Sequence, residues 1–218
     1  MGEGPKSYIG IYGGTFDPIH FGHLRPALDV MTRLALQQVR FMPCYQPVHR
    51  GQPGAGAQAR CEMIERAIAG QAGFVLDRRE IDRGGPSYMV DSLASIRREL
   101  GTTAQAPGLV LMMGLDAFHH FLSWQQWSKI LQLAHIALMH RPGEPLPTQG
   151  ELAMLFAQRR VCALSGWSGQ IIDVDVTQLA ISATAIRAML AQHQSIDYLM
   201  PLSVVEYIKM QQLYLSLT

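Results

Sequence analysis

Gly13-Gly14-Thr15-Phe16-Asp17-Pro18-Ile19-His20-Phe21-Gly22-His23 is the stretch on which the fold turns. Immediately before it, Tyr8-Ile9-Gly10-Ile11-Tyr12 is an apolar run of strand length. Just after it, Leu24, Leu28 and Met31 recur at helical spacing, which predicts a helix over 22–36. A glycine pair leaving a strand lets backbone N–H groups approach an anion with no side chain in the way. His20 and His23, three apart at a helix start, share one face beside the positive end of the helix dipole. Together these residues form equipment for a phosphate.

Outward from this stretch, short apolar runs alternate with amphipathic segments. Strands are predicted at 8–12, 39–43, 74–77, 109–113, 136–140 and 171–174, with further helices at 58–69, 90–100, 127–133, 151–158, 183–192 and 202–212. That alternation predicts an α/β fold, a doubly wound and mostly parallel sheet of Rossmann-like kind. Such sheets bind ligands beyond the carboxyl ends of their strands, where residues 13–23 and Gly114-Leu115-Asp116 both fall. No internal repeat or long linker interrupts the chain, so 1–218 is expected to form one domain, with a C-terminal helical portion from about 182. The Gly- and Pro-rich stretches 52–57 and 141–150 are expected to be loops.

Bulk properties narrow the function. The formal net charge of +1 provides no global basic field for nucleic acid. Lys6, Lys129 and Lys209 are the only lysines; the other cations are arginines, which suit bidentate phosphate contacts. Cys44, Cys61 and Cys162 are odd in number and form no C-x-x-C, which points to a reducing, cytoplasmic setting. A polar N-terminus gives no sign of a signal peptide, and Lys6 breaks a myristoylation pattern at Gly2. The apolar stretch 109–113 is far too short to span a bilayer, so no membrane partner is expected. Oligomeric state is left open.

Neither G-x-G-x-x-G nor G-x-x-x-x-G-K-[ST] occurs; the phosphate signal is H-x-G-H. Zinc is the rival for paired histidines, with Asp17 as a third ligand, although no H-E-x-x-H accompanies it. A second anion-binding cluster is Ile181-Ser182-Ala183-Thr184-Ala185-Ile186-Arg187, with Ser182 as helix cap. Thr184 and Arg187 share a face opposite Ile186, Met189 and Leu190, so Arg187 is predicted to point away from the core. Gly84-Gly85-Pro86-Ser87-Tyr88 is a loop before a helix, and Trp124 follows the strand at 109–113, where either ring stacking or core packing suits it. His119 and His120 lie beside Asp116, and His49 and Arg50 follow a proline-containing loop at the ligand end. Arg60 opens the next helix and could reach the same region, with an ordinary solvated helix arginine as the default expectation.

These residues resemble the nucleotidyltransferases of the H-x-G-H superfamily. The G-P-S-Y loop, the later tryptophan and the I-S-x-T-x-I-R ending are similar to the nicotinate-nucleotide adenylyltransferase branch, along nearly the whole chain. The resemblance implies Mg²⁺-dependent transfer of the adenylyl group of ATP to nicotinate mononucleotide, giving nicotinate adenine dinucleotide and pyrophosphate in NAD biosynthesis. It implies that Gly13, Gly14, Thr15, Phe16, His20 and His23 hold the ATP phosphates, and that Asp17 supports the first histidine or the metal. Mg²⁺ would be held mainly by the phosphates themselves. Ser182, Thr184 and Arg187 would bind the pyrophosphate end, with His20, His23, Asp17 and Arg187 as the catalytic set. Gly114 and Asp116 would contact a ribose, Trp124 would stack the pyridine, the Tyr88 and Met89 backbone would donate to its carboxylate, and His49 and Arg50 would border the acceptor. Met89 replaces a usual Thr, Ala183 a common Ser, and Pro47-Val48-His49-Arg50 the usual Pro-Pro-His-Lys. The alternatives are an adenylyltransferase for nicotinamide mononucleotide and a non-catalytic nucleotide sensor.

Overall fold

Strands whose every residue is apolar belong between two layers of helices, and this chain has two that come close to it. In the computed structural model, which describes residues 7–48, 51–101, 103, 106–141 and 143–215, β6 (Gly108–Gly114) and β7 (His135–His140) are buried almost throughout. Continuous burial on both faces is the mark of a parallel, helix-covered sheet. The other strands are β1 (Tyr8–Gly14), β2 (Gln38–Pro43), β4 (Phe74–Leu76) and β8 (Ile171–Asp175), and the six run in the order β4-β2-β1-β6-β7-β8, all parallel. Strand order reverses between β1 and β6, and sheets of this kind take ligands in the crevice beyond the carboxyl ends at such a point.

Alternation along each strand feeds two cores. Val110, Met112, Ala137 and Met139 face α1 (Phe21–Arg33), α2 (Ala57–Ile68), α8 (Ala183–Ala191) and α9 (Leu202–Met210). Leu109, Leu111, Ile136 and Leu138 face α4 (Met89–Leu100), α5 (Leu115–His119), α6 (Trp127–Leu133) and α7 (Gly150–Arg159). The C-terminal helices therefore share the core of α1 and α2, through Ile186, Leu190, Val204 and Ile208.

All six predicted strands and seven predicted helices are present. The first helix ends at Arg33 rather than 36, because Leu36 is drawn into the core beside β2 while Ala35 reverses the chain at φ 48°. Two short helices add to the pattern expected from sequence, α3 (Arg79–Arg83) and α5. So does a two-stranded pairing of β3 (Gln46–Pro47) with β5 (Pro86–Ser87), reinforced by the Tyr45 N–H donating to Ser87 Oγ at 2.9 Å. Elements of two to five residues carry too few side chains to show a period.

Candidate active site

Three close approaches bring the predicted clusters to one edge. The first is at Gly22, between the histidines: a Cβ there would lie 2.9 Å from His20 Nδ1 and 3.1 Å from the Ile181 carbonyl oxygen. Only glycine lets the imidazole lie over α1 while the lead-in to α8 passes beneath, so the starts of α1 and α8 meet. The second is at Gly13, where a Cβ would fall 2.6 Å from Met89 Cε. Met89 opens α4 directly above the end of β1. The third joins Arg187 to the turn: its Nη1 donates to the Asp17 carbonyl at 2.6 Å and lies 3.6 Å from Asp17 Oδ2.

The two histidines stack on one another, with ring centroids 3.8 Å apart. His20 caps α1 and is only 4% exposed; its Nδ1 is buried without a hydrogen-bond partner, and burial pushes its pKa down to about 4. At neutral pH it is uncharged. His23 Nδ1 accepts from the His20 backbone N–H at 3.3 Å, which in the neutral ring leaves the proton on Nε2. Phe16, at φ 50°, turns the chain back so that its ring packs against Tyr12, Phe41 and His23.

Asp17, expected to support the first histidine or a metal, joins distant parts of the chain. Its carboxylate is 4% exposed and accepts from Gly54 N at 2.7 Å, Ala55 N at 3.0 Å and Tyr214 Oη at 2.7 Å. Those donors come from the loop before α2 and from the segment after α9, so the carboxylate ties both to the turn after β1. Among the described residues, no group of three or more His, Cys, Asp or Glu is placed to hold a metal ion.

Arg60 is a correction. It is 1% exposed rather than solvated, with Nη1 donating to Thr15 O at 2.8 Å and Nε to Ala55 O at 3.3 Å. Its guanidinium pins the glycine-rich turn to the loop before α2. Met63 and Ile64, three and four residues on, are buried on the same face of that helix, and that spacing is the signal the sequence offers. Below the G-P-S-Y loop, Glu80 is buried, accepts from Ser92 Oγ at 2.5 Å and has its pKa raised by that burial. Cys44, its thiol pKa also raised by burial, lies 3.8 Å from Thr15 Oγ1.

The remaining residues sit at the same edge with more freedom. Ser182 caps α8, its Oγ accepting from Ala185 N at 3.1 Å, and Thr184 is exposed in the first turn. Tyr88 caps α4, so the Tyr88–Met89 backbone stands at a helix N-terminus, where the first N–H groups have no intrahelical acceptor. Asp91, in that first turn, borders a surface groove with Arg79, Arg83 and Arg98. Gly114 caps α5, and Asp116 is exposed in its first turn, as are His119 and His120 at its end. Trp124 is half-buried, one part of its ring against Phe121 at 5.9 Å, on the apolar cluster that also receives Tyr88 and Met89. His49 and Arg50 lie outside the described residues.

The cytidylyltransferase-like family matches residues 11–189 of this sequence. A probable nicotinate-nucleotide adenylyltransferase of Hydrogenovibrio crunogenus is 52% identical over 94% of this chain and 97% of its own. One of Methylococcus capsulatus is 46% identical over 94% and 99%. The chain belongs to the nicotinate-nucleotide adenylyltransferases. A solved structure of Plasmodium falciparum nicotinic acid mononucleotide adenylyltransferase shares the fold, with TM-score 0.69 at 17% identity over 95% of this chain and 97% of that one. The family is a nucleotidyltransferase family of NAD biosynthesis, and among the described residues no helix is long and apolar enough to cross a membrane.

Proposed function

We propose that the turn after β1 and the start of α8 hold the triphosphate of ATP, while the start of α4 and Trp124 hold the pyridine nucleotide. The reaction is transfer of the adenylyl group of ATP to nicotinate mononucleotide, giving nicotinate adenine dinucleotide. An oxygen of the mononucleotide phosphate forms the new bond to the α-phosphorus; the bond to the β-phosphate oxygen breaks, and pyrophosphate leaves with its electron pair. The attacking oxygen is already anionic, so no strong base is needed. The protein's work is alignment and the neutralisation of growing charge.

His20 and His23 act here as donors, and a phosphate oxygen supplies the anion that favours protonation of His20. Arg187, held by its bond to the Asp17 carbonyl, presents its guanidinium to the leaving end, and the N–H groups behind Ser182 add the dipole of α8. Mg²⁺ arrives as the MgATP complex, part of the substrate. The acceptor's carboxylate takes the N–H groups at the start of α4, and its pyridine ring lies against Trp124. Three free thiols accord with a cytoplasmic setting.

The observation that carries this reading is Met89 lying over Gly13, because it sets the acceptor's helix end beside the phosphate turn. Pyrophosphate release is the test. ATP, Mg²⁺ and nicotinate mononucleotide together should give it, and EDTA should abolish it. Silence with both nicotinate and nicotinamide mononucleotides would sink the assignment.

A further inference from the structure

We propose that Tyr214 is a positioning residue for ATP: its hydroxyl holds Asp17 so that Arg187 stays available to the triphosphate. The proposal rests on the reading of Arg187 as a phosphate ligand.

The geometry is tertiary throughout. After α9 ends at Met210, Gln212 and Tyr214 both adopt left-handed backbone, φ 52° and 64°. A tyrosine takes that conformation at a cost, and it persists where surrounding contacts hold it there. Leu213 and Tyr214 pack on the core shared by α1, α2, α8 and α9. The Tyr214 ring lies so close to Gly54 that a Cβ there would be 3.2 Å from it and 3.4 Å from Arg187 Cδ. Its hydroxyl reaches Asp17 Oδ1 at 2.7 Å, across 197 residues of sequence. Burial and the carboxylate hold the phenol well above its usual pKa, so it is a permanent donor.

Asp17 and Arg187 are opposite charges at 3.6 Å, close enough to attract but beyond a hydrogen bond. What keeps them from closing is the supply of other donors to the carboxylate: Gly54 N and Ala55 N from the loop, and the Tyr214 hydroxyl. Removing the hydroxyl leaves Oδ1 with only the Ala55 N–H of these donors. The Arg187 guanidinium, already 3.6 Å from Oδ2 of the same carboxylate, is then drawn toward it, and a direct Asp17–Arg187 pair competes with the ATP phosphates for that guanidinium. The pyridine nucleotide, bound at the start of α4, is untouched by this exchange.

Tyr214→Phe removes only the hydroxyl and keeps the ring's packing. MgATP binding, measured by calorimetry without acceptor, should weaken about tenfold, the scale of one lost hydrogen bond to a charged group. KM for ATP should rise in parallel, while KM for nicotinate mononucleotide stays within about twofold, since nothing in that subsite has changed. In an Asp17→Asn background, which removes the charge competing for Arg187, the same substitution should alter ATP affinity by less than about twofold. Equal ATP affinity of wild type and Tyr214→Phe would overturn the proposal. So would equal rises in both KM values with a lowered melting temperature, which is what mere loosening of the fold would give. A wild type that binds MgATP but forms no dinucleotide would refute the reaction, while the affinity comparison would still decide the role of Tyr214.

Discussion

At the end of β1, Asp17 is buried under donors from three other parts of the chain and Arg60 is sealed beneath the turn. At the end of β6, Asp116 is exposed, and Trp124 rests half-buried on Phe121. These two regions flank the same edge, and the proposed function gives them different tasks. Triphosphate charge calls for donors held rigidly in a dry setting, where electrostatic interactions are strong. A flat ring and a single carboxylate call for a face to stack on and a few backbone N–H groups. Damage at the first region should therefore be large and often coupled to stability, and damage at the second smaller and confined to the acceptor.

The largest effect is expected at the histidines. Replacing His20 or His23 by Ala should cost about 10²–10³ in kcat, the scale for one preorganised donor. A comparable loss from Asp116→Ala would break the contrast between the regions.

A pH effect on folding sharpens it. Folded His20 has its pKa lowered to about 4, against 6.5 for an unperturbed histidine. As pH falls through that window the unfolded chain takes up the proton first, so stability is lost progressively, by up to about 3 kcal/mol. Denaturant midpoints from pH 7 to 4 should show this slope in the wild type, and His20→Ala should flatten it. An unchanged slope in the variant would mean that other groups carry the titration.

Discrimination between acid and amide is expected at about 10²-fold in kcat/KM. An amide sets its own N–H against the donors at the start of α4, a mispairing of about 1–3 kcal/mol, to which loss of the carboxylate charge adds. Equal use of nicotinate and nicotinamide mononucleotides would remove α4 from the acceptor site.

Arg60→Met tests the buried side through stability. It strips the Thr15 and Ala55 carbonyls of a donor, about 2 kcal/mol or a fall of roughly 5 °C in melting temperature, with reduced activity. The smallest effect belongs to Trp124→Ala, about 1 kcal/mol or roughly fivefold in KM for the acid and the amide alike. A selective loss of one would show that the indole reads the substituent.

Much of the fold and part of the site are legible in the sequence. The six strands announce themselves as apolar runs, the glycine turn with H-x-G-H falls between β1 and α1 as expected, and Ser182 is recognisable as a cap. Ile186 and Leu190 face inward as their period demands, leaving Arg187 on the other side. Arg60 defeats a local reading because a charged residue in a helix is usually solvated, and only the apolar residues three and four positions on hint otherwise. The β3–β5 pairing is held by contacts across the gap between two loops, and neither loop carries its partner's signature.

The sequence by itself determined the alternating α/β layers, the parallel sheet and the place of the glycine-rich turn, because hydrophobic period, glycine and helix caps act over a few neighbouring residues. Only the tertiary structure decided what each polar side chain of the turn does. Asp17 answers to Gly54, Ala55, Arg187 and Tyr214, the last 197 positions away. A carboxylate's role is set by which donors the fold brings within hydrogen-bonding reach of it, a matter of space that local pattern does not encode.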